Sequence, residues 1–176
     1  MTVKIDIAPL TPEAFAPYGE VIAHYGDERR HKIPLQLGPN GEPLTVTSWV
    51  NRILTAIDSA DTSVLLERHP FTDQLFVPIS GQRYLVIVAD GKDDAPNLTT
   101  LKGFLATPHQ GVLYRRNTWH AGMKVFDAPA HFFVLMGRRE DGGDDVFLPQ
   151  ETAITLNFSK DLSLSEGLAL AEGIPA

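Results

Sequence analysis

The stretch LERHPFTDQ, residues 66–74, sets a carboxylate and an imidazole two positions apart, with a carboxamide one short turn later. If the stretch begins as a strand, side chains two residues apart point to the same side, so Glu67 and His69 share one face and Arg68 takes the other. The proline that follows interrupts strand pairing, and the turn after it returns Gln74 on an adjacent strand. The sequence therefore predicts that an acid, a histidine and an amide surround one space.

A second stretch, YRRNTWH at residues 114–120, offers the partner that such a cluster needs. Its histidine, His120, completes a set of two oxygen and two nitrogen donors. Together with Glu67, His69 and Gln74, it suits Zn²⁺, Ni²⁺, Mn²⁺ or Fe²⁺ with coordination positions left open. Each residue alone is typical of a surface or hydrogen-bonding side chain, so the prediction depends on all four being present.

Length, composition and charge narrow the class of protein. The 176 residues are enough for one domain with a substantial core and short for two, so we expect a single domain over residues 1–176. There is no cysteine, which excludes disulfides, thiolate metal sites and cysteine nucleophiles. The net charge of −7 with no basic stripe argues against nucleic-acid binding. Without a long apolar run or a signal-peptide pattern, we expect no membrane association and a cytoplasmic location.

Most of the chain has the pattern of short strands separated by Gly, Pro, Asn and Asp turns, which predicts an all-β sandwich or barrel. The run LVIVA at residues 85–89 is apolar throughout, which is typical of a strand covered on both faces. The candidate strands cover residues 3–7, 20–23, 44–54, 62–69, 74–79, 83–90, 99–106, 111–115, 123–126, 131–138 and 145–149.

Helices and loops take up the rest of the chain. Thr11 as the cap and Pro12 at the first helical position predict a short N-terminal helix. The polar stretch 26–43 predicts a long loop, either a flap over a site or a solvated connection. The tail at residues 162–172 has the pattern of a short amphipathic helix, weakened by a central glycine. The doublet at 138–139 next to two acids is typical of a solvated turn.

The two opening stretches resemble the two motifs of the cupin superfamily. In the first motif, two histidines two residues apart precede a glutamate; here Glu67 and Gln74 replace the first histidine and the glutamate, and His69 matches. In the second motif, a turn containing glycine precedes a histidine; here His120 matches, and Asn117, which tolerates left-handed backbone, stands in place of the glycine. The resemblance implies a cupin-like jelly-roll β-barrel or sandwich.

The chain is more closely similar to the ureidoglycolate lyase family, over most of residues 7–149. The similarity is carried by PLTPEAF at 9–15, YGEVI at 18–22, ERHP at 67–70, QxFxP at 74–78, GVxY at 111–114 and RNxWH at 116–120. It implies a carbon–nitrogen lyase that splits ureidoglycolate into glyoxylate and urea, a step of allantoin and purine breakdown.

The resemblance implies roles for six residues. They are Glu67, His69 and His120 as catalytic groups and Gln74, Tyr114 and Arg116 as substrate contacts, with the Arg116 guanidinium matching the substrate carboxylate. If a divalent metal such as nickel, zinc or manganese is bound, its ligands are Glu67, His69, Gln74 and His120. Without a metal, Glu67 or His69 acts as the base and His120 as the acid. No organic cofactor is expected.

Alternatives remain open at the level of sequence. An amidohydrolase acting on the same substrate would release ammonia and carbon dioxide instead of urea. A non-catalytic cupin-like module would bind a small ligand without turnover. A homodimer is expected, because small β-barrels often cover an edge strand by pairing, and the sequence does not indicate which edge.

Overall fold

Two large β-sheets, packed against each other, form the body of the fold in the computed structural model, which describes residues 2–38, 44–57, 59–159 and 162. The strands are β1 Val3–Pro9, β2 Gly19–Ile22, β3 Thr45–Ile53, β4 Asp61–Val64, β5 Leu66–Arg68, β6 Gln74–Pro78, β7 Tyr84–Ala89, β8 Gly91–Lys92, β9 Ala95–Pro96, β10 Lys102–Ala106, β11 Gly111–Tyr114, β12 Trp119–Ala121, β13 Lys124–Val125, β14 Ala130–Arg138, β15 Val146–Phe147 and β16 Thr152–Phe158. Strands β8 and β9 form a separate two-stranded sheet. The helices are α1 Pro12–Phe15 and a 3₁₀ turn at Leu98–Thr100.

The larger sheet has the order β15-β5-β12-β7-β10-β1-β16-β4, with β13 also pairing β7, and the smaller has the order β2-β11-β6-β14-β3. The expected all-β, cupin-like sandwich with a short N-terminal helix is therefore confirmed. The tail predicted to be helical lies outside the described residues, apart from Leu162. None of the helices in the described ranges has the length and apolar character needed to cross a membrane.

The central strand of the larger sheet, β7, has all six of its residues buried, as the unbroken apolar run predicted. Tyr84, Val86 and Val88 point into the core between the two sheets. Leu85 and Ile87 belong to a second core on the other face of the sheet, together with residues of β1 and β16. A strand buried on both faces provides a rigid neighbour for β12, which carries one of the site histidines.

The strand predictions were wrong in several places. The single strand expected at 62–69 is divided into β4 and β5, and it ends at Arg68, so His69 lies just beyond it. Strands β8, β9, β12 and β16 were missed. The burial of β16 alternates along TAITLNF, so a period-two signal was present in its sequence. Its parallel pairing with β1 joins the two ends of the described fold.

The two motif turns are held together by one buried carboxylate, Asp73. Its Oδ1 accepts a hydrogen bond from the backbone N–H of Arg116 at 2.8 Å, and its Oδ2 accepts one from the N–H of Gln36 at 2.8 Å. The N–H of Asn117 donates to the carbonyl of His69 at 2.9 Å, and Asn117 has the expected left-handed backbone with a φ of 71°. These bonds bring the first and second stretches into contact.

Candidate active site

Four polar side chains meet between the two sheets, as the sequence predicted. Glu67 on β5 and His120 on β12 are direct cross-strand partners, so their side chains lie on the same face. Candidate ligand atoms of Glu67, His69 and His120 all lie within 4.8 Å of one another. Gln74 comes from the smaller sheet, and its Oε1 lies 3.0 Å from His120 Nε2. The cluster therefore joins the two layers of the fold.

His69 is oriented by acceptors on its outer nitrogen. Its Nδ1 lies 3.1 Å from the carbonyl oxygen of Asp144 and 3.0 Å from Oδ1 of Asp145. Because both neighbours are acceptors, a proton is assigned to Nδ1, and a ring that carries only this proton offers the lone pair of Nε2 to the cluster. The Nε2 atom is buried without a hydrogen-bond partner among the described residues. A carboxylate behind a histidine that turns its other nitrogen inward is the usual arrangement at metal sites.

His120 is oriented in the same way. Its Nδ1 lies 2.9 Å from the Thr118 carbonyl, which assigns the proton to that nitrogen. Its Nε2 faces Oε1 of Gln74 and, at 3.6 Å, Oε1 of Glu67. Burial, reinforced by the nearby His69 ring, lowers the pKa of His120 to about 3, against a smaller opposing effect of the Thr118 carbonyl. The ring is thus neutral at pH 7. Its Nε2 is a hydrogen-bond acceptor, and it faces two further acceptors, the Oε1 atoms of Gln74 and Glu67.

A cation fits this arrangement of donors. Two imidazole lone pairs, a carboxylate oxygen and an amide oxygen converge with no hydrogen assigned between them. The amide orientation of Gln74 is consistent with this, since its Nε2 is directed to the sulfur of Met136 at 3.5 Å. Converging lone pairs repel each other unless a positive charge lies between them, and nitrogen and oxygen donors of this kind suit divalent transition metals. The group is therefore able to hold a metal ion.

Glu67 is set apart from an ordinary surface acid by its surroundings. Burial raises the pKa of its carboxyl, with Asp145 acting in the same direction, while His69 and Arg138 oppose the rise. Its Oε1 faces His120, and in the described part of the chain its Oε2 receives no hydrogen bond. A carboxylate with a raised pKa and one free oxygen has the properties of a general base.

A cavity of about 380 Å³ opens beside the cluster. Trp49, Asn51 and Ile53 line it from β3, because alternate residues of that strand point inward. The charged side chains that line it are Glu67, Asp145, Glu151, Arg138 and Lys124. These carry a formal charge of minus one, so a bound divalent cation would make the cavity positive and favourable for a small anion.

Arg138 and Asp145 are site residues that the sequence reasoning missed. The interpretation of Arg138 as part of a solvated turn is wrong, because it lines the cavity. The signal that could have found it is the alternation of β14: Phe132, Val134 and Met136 are buried, and Arg138 continues the same face. Asp145 left no comparable signal, since it lies in an irregular segment and reaches His69 only through the fold.

Tyr114 and Arg116 are placed differently from the cluster. The ring of Tyr114 stacks on His120 with centroids 4.0 Å apart, and its hydroxyl is buried without a hydrogen-bond partner among the described residues. Arg116 is exposed and lines two other depressions, not the cavity beside Glu67. The structure thus brings five of the six predicted residues together and leaves the Arg116 side chain outside.

The chain is similar in sequence to proteins of one known family. The sequence profile described as ureidoglycolate lyase matches residues 2–155. The chain is 33% identical over 166 residues to a ureidoglycolate lyase from Brucella anthropi, covering 83% of this chain and 90% of that protein. It is 33% identical over 156 residues to a ureidoglycolate lyase from Escherichia coli O1:K1 / APEC, covering 84% and 96%. Among solved structures, a dTDP sugar isomerase from Desulfovibrio desulfuricans G20 matches with a TM-score of 0.42 at 13% identity, covering 75% of this chain and 82% of that one.

Proposed function

The chain belongs to the ureidoglycolate lyase family, and we propose that it splits ureidoglycolate into glyoxylate and urea in the cavity beside Glu67, His69, Gln74 and His120. The observation that carries this assignment is the convergence of these four side chains from two sheets, next to a cavity whose lining includes Arg138 and Lys124.

The reaction sets clear demands on the site. Ureidoglycolate carries a carboxylate, a hydroxyl and a ureido nitrogen on one carbon. The hydroxyl loses its proton, the carbon–oxygen bond becomes the carbonyl of glyoxylate, and the carbon–nitrogen bond breaks. The electron pair of that bond goes to the nitrogen, which takes up a proton and leaves as urea. The site therefore has to accept one proton and deliver one, within hydrogen-bonding distance of a single carbon centre.

Glu67 meets both demands. Its raised pKa brings the carboxyl nearer to the pH at which proton transfer is efficient, and Oε2 is free to accept the hydroxyl proton. The same carboxyl can return that proton to the departing nitrogen, which balances the reaction without a second acid. Because the pKa of His120 is low, its Nε2 carries no proton at neutral pH and can bind a metal or accept a hydrogen bond. We therefore assign His120 and His69 to orientation and ligand binding, in preference to an acid role for His120.

A divalent metal, if bound, would be held by Glu67, His69, Gln74 and His120, and it would supply Lewis-acid stabilisation of negative charge on substrate oxygen. Tyr114 supports the site by packing its ring on His120. Its hydroxyl is buried and does not line the cavity, so we assign Tyr114 to positioning His120. Which ion is bound is a matter for elemental analysis of protein purified without chelators. Full activity after exhaustive chelation would rule out a metal role and leave Glu67 acting alone.

The products of ureidoglycolate turnover decide between the competing functions. A lyase releases one urea per glyoxylate and no ammonia. Ammonia as the sole nitrogen product would instead establish the amidohydrolase reading. A non-catalytic module is expected to show no turnover. In that case Glu67→Gln would change only the binding of the ligand. The control variant is His109→Gln, since His109 is exposed and does not line the cavity.

Assembly and location are two further expectations. We infer a homodimer formed through β3, the nine-residue edge strand of the smaller sheet. Its outer side exposes Val46 and Val50 at 56% and 55%, and Leu54, the residue that follows the strand, is 68% exposed. A long edge strand with exposed apolar side chains is a ready site for pairing with a second copy. The cytoplasmic location stays a prediction, which a fluorescent fusion would test.

A further inference from the structure

The proposed function does not say which side chain receives the substrate carboxylate, and we propose that it is Arg138. The inference rests on the proposed function for the identity of the substrate. It assigns a specificity role to a residue outside the two sequence motifs, and it predicts that a carboxylate on the carbon that carries the hydroxyl lowers the KM of a substrate of this site.

Arg138 lies where such an anchor is needed. It is the last residue of β14 and continues the inward face of that strand into the cavity that Glu67, His69 and Gln74 also line. Its side chain is 32% exposed, so a ligand can reach it. The guanidinium carbon lies 5.8 Å from the centre of the Trp49 ring, which limits the orientations that the group can take.

One side of the guanidinium is held and the other is free. Its Nη1 donates to Oδ2 of Asp145 at 2.7 Å. Within the described ranges, its Nε and Nη2 donate to no other residue. These two nitrogens form the side edge of the guanidinium, which presents two parallel N–H groups with the spacing of a carboxylate. Asp145 thus holds the arginine without occupying the edge suited to bidentate binding.

Asp145 also ties the anchor to the reacting groups. Its second oxygen, Oδ1, lies 3.0 Å from Nδ1 of His69. A single carboxylate therefore orients both Arg138 and a histidine of the cluster. This matters because the carboxylate and the hydroxyl of ureidoglycolate are attached to the same carbon, so their binding groups have to be held at a constant separation.

Other cations are less suited to the role. Arg116 is exposed and lines depressions that do not include Glu67 or His69. Lys124 lines the cavity, but its ammonium is a point charge and does not form two parallel bonds to a planar carboxylate. The cavity is also lined by the carboxylates of Glu67, Asp145 and Glu151. The loss of Arg138 would therefore make the cavity more negative and would weaken the binding of an anion.

The test compares ureidoglycolate with N-(hydroxymethyl)urea, a neutral compound that keeps the hydroxyl and ureido groups and lacks only the carboxylate. Arg138→Gln is expected to raise the KM for ureidoglycolate by about 10- to 100-fold, the effect of losing a charge-assisted pair. For N-(hydroxymethyl)urea, kcat/KM is expected to stay within about threefold of the wild-type value. Arg138→Lys is expected to recover only part of the loss.

Two controls and a direct measurement complete the design. Arg30→Gln, at an exposed position, removes the same charge outside the cavity and checks for an effect of net charge. Arg116→Gln and Lys124→Gln test the rival anchors. Equal losses on both substrates in Arg138→Gln would overturn the inference by showing a merely structural role. The inference would also be overturned if Arg116→Gln or Lys124→Gln lost activity on ureidoglycolate but not on N-(hydroxymethyl)urea, while Arg138→Gln showed no such difference.

Calorimetric titration with glyoxylate separates this inference from the proposed function. If the wild-type protein releases no urea from ureidoglycolate, the proposed function fails. The titration still tests whether Arg138 binds a carboxylate. Binding of glyoxylate that weakens at least tenfold in Arg138→Gln supports the anchor. Equal binding by the variant, or no binding by the wild-type protein, overturns it.

Discussion

The buried neutral state of His120 makes the stability of the metal-free protein depend on pH. Its pKa in the folded protein is lowered to about 3, chiefly by burial. In the unfolded chain a histidine has a pKa of about 6.5. Between these values the unfolded chain binds a proton that the folded protein does not, so acid favours unfolding. The contribution of His120 is fully present above pH 6.5 and is lost as the pH falls towards the folded value.

The size of the effect follows from the two pKa values. Each pH unit within the window changes the free energy of unfolding by about 1.4 kcal/mol, and the curve bends near pH 6.5. Between pH 7 and pH 5 this one group therefore costs roughly 2 kcal/mol. That is a large part of the 5–15 kcal/mol that is typical of a folded domain.

The assay is urea unfolding at pH 7, 6 and 5 in the presence of a chelator, because a metal on the inner nitrogen would also oppose protonation. We expect the wild-type protein to lose about 2 kcal/mol more than His120→Gln over this range. His109→Gln, which removes an exposed histidine, is expected to follow the wild-type protein. Parallel pH dependences for the wild-type protein and His120→Gln would refute the reasoning, because they would mean that the buried ring takes up its proton as easily as in the unfolded chain.

Four other substitutions probe the base, the metal ligands, the dimer and the fold. Glu67→Gln is expected to lower urea release by about 10²- to 10⁴-fold while leaving the chelated protein at least as stable at pH 7, because a buried charge is removed; a matching fall in unfolding free energy would contradict this. Asp145→Asn is expected to weaken binding of Mn²⁺ or Zn²⁺ by about 10- to 100-fold in calorimetry, since His69 loses its orienting carboxylate; unchanged affinity would argue against the site. Val50→Lys is expected to shift the mass measured by light scattering from dimer to monomer, and a persistent dimer would point to another interface. Gly19→Ala places a Cβ 1.8 Å from a carbonyl oxygen of the neighbouring strand, so the free energy of unfolding should fall by about 1–3 kcal/mol; an unchanged melting temperature would contradict the close approach.

Signals that depend on near neighbours in the chain were predictable. Thr11 accepts a hydrogen bond from the N–H of Ala14 at 3.2 Å, as expected of a helix cap. Asn117 takes the left-handed backbone that its place in the motif required. Glu67 and His69 converge as their spacing predicted, although the strand ends at Arg68, between them. The resemblance to a family then supplied the substrate, which no local pattern could have identified.

The choice between Arg116 and Arg138 shows where sequence reasoning ends. Arg116 stands inside a recognised motif, four residues before His120, and yet its side chain lies outside the cavity. Arg138 has no motif, and it reaches the site because β14 pairs with β6 and β3 in a register that turns its even-numbered residues inward.

The sequence alone determined the β-rich class of the fold, the short capped helix and the donor atoms available to the site. Each of these depends on the chemistry and spacing of neighbouring residues. Only the tertiary structure decided that Asp145 lies behind His69 and that a cavity opens beside Glu67. These contacts join residues far apart in the chain, and their energies depend on strand register, burial and the loss of water. Strand register, burial and the exclusion of water cannot be read from any single segment of the sequence. They are set only when the two sheets pack together around the site.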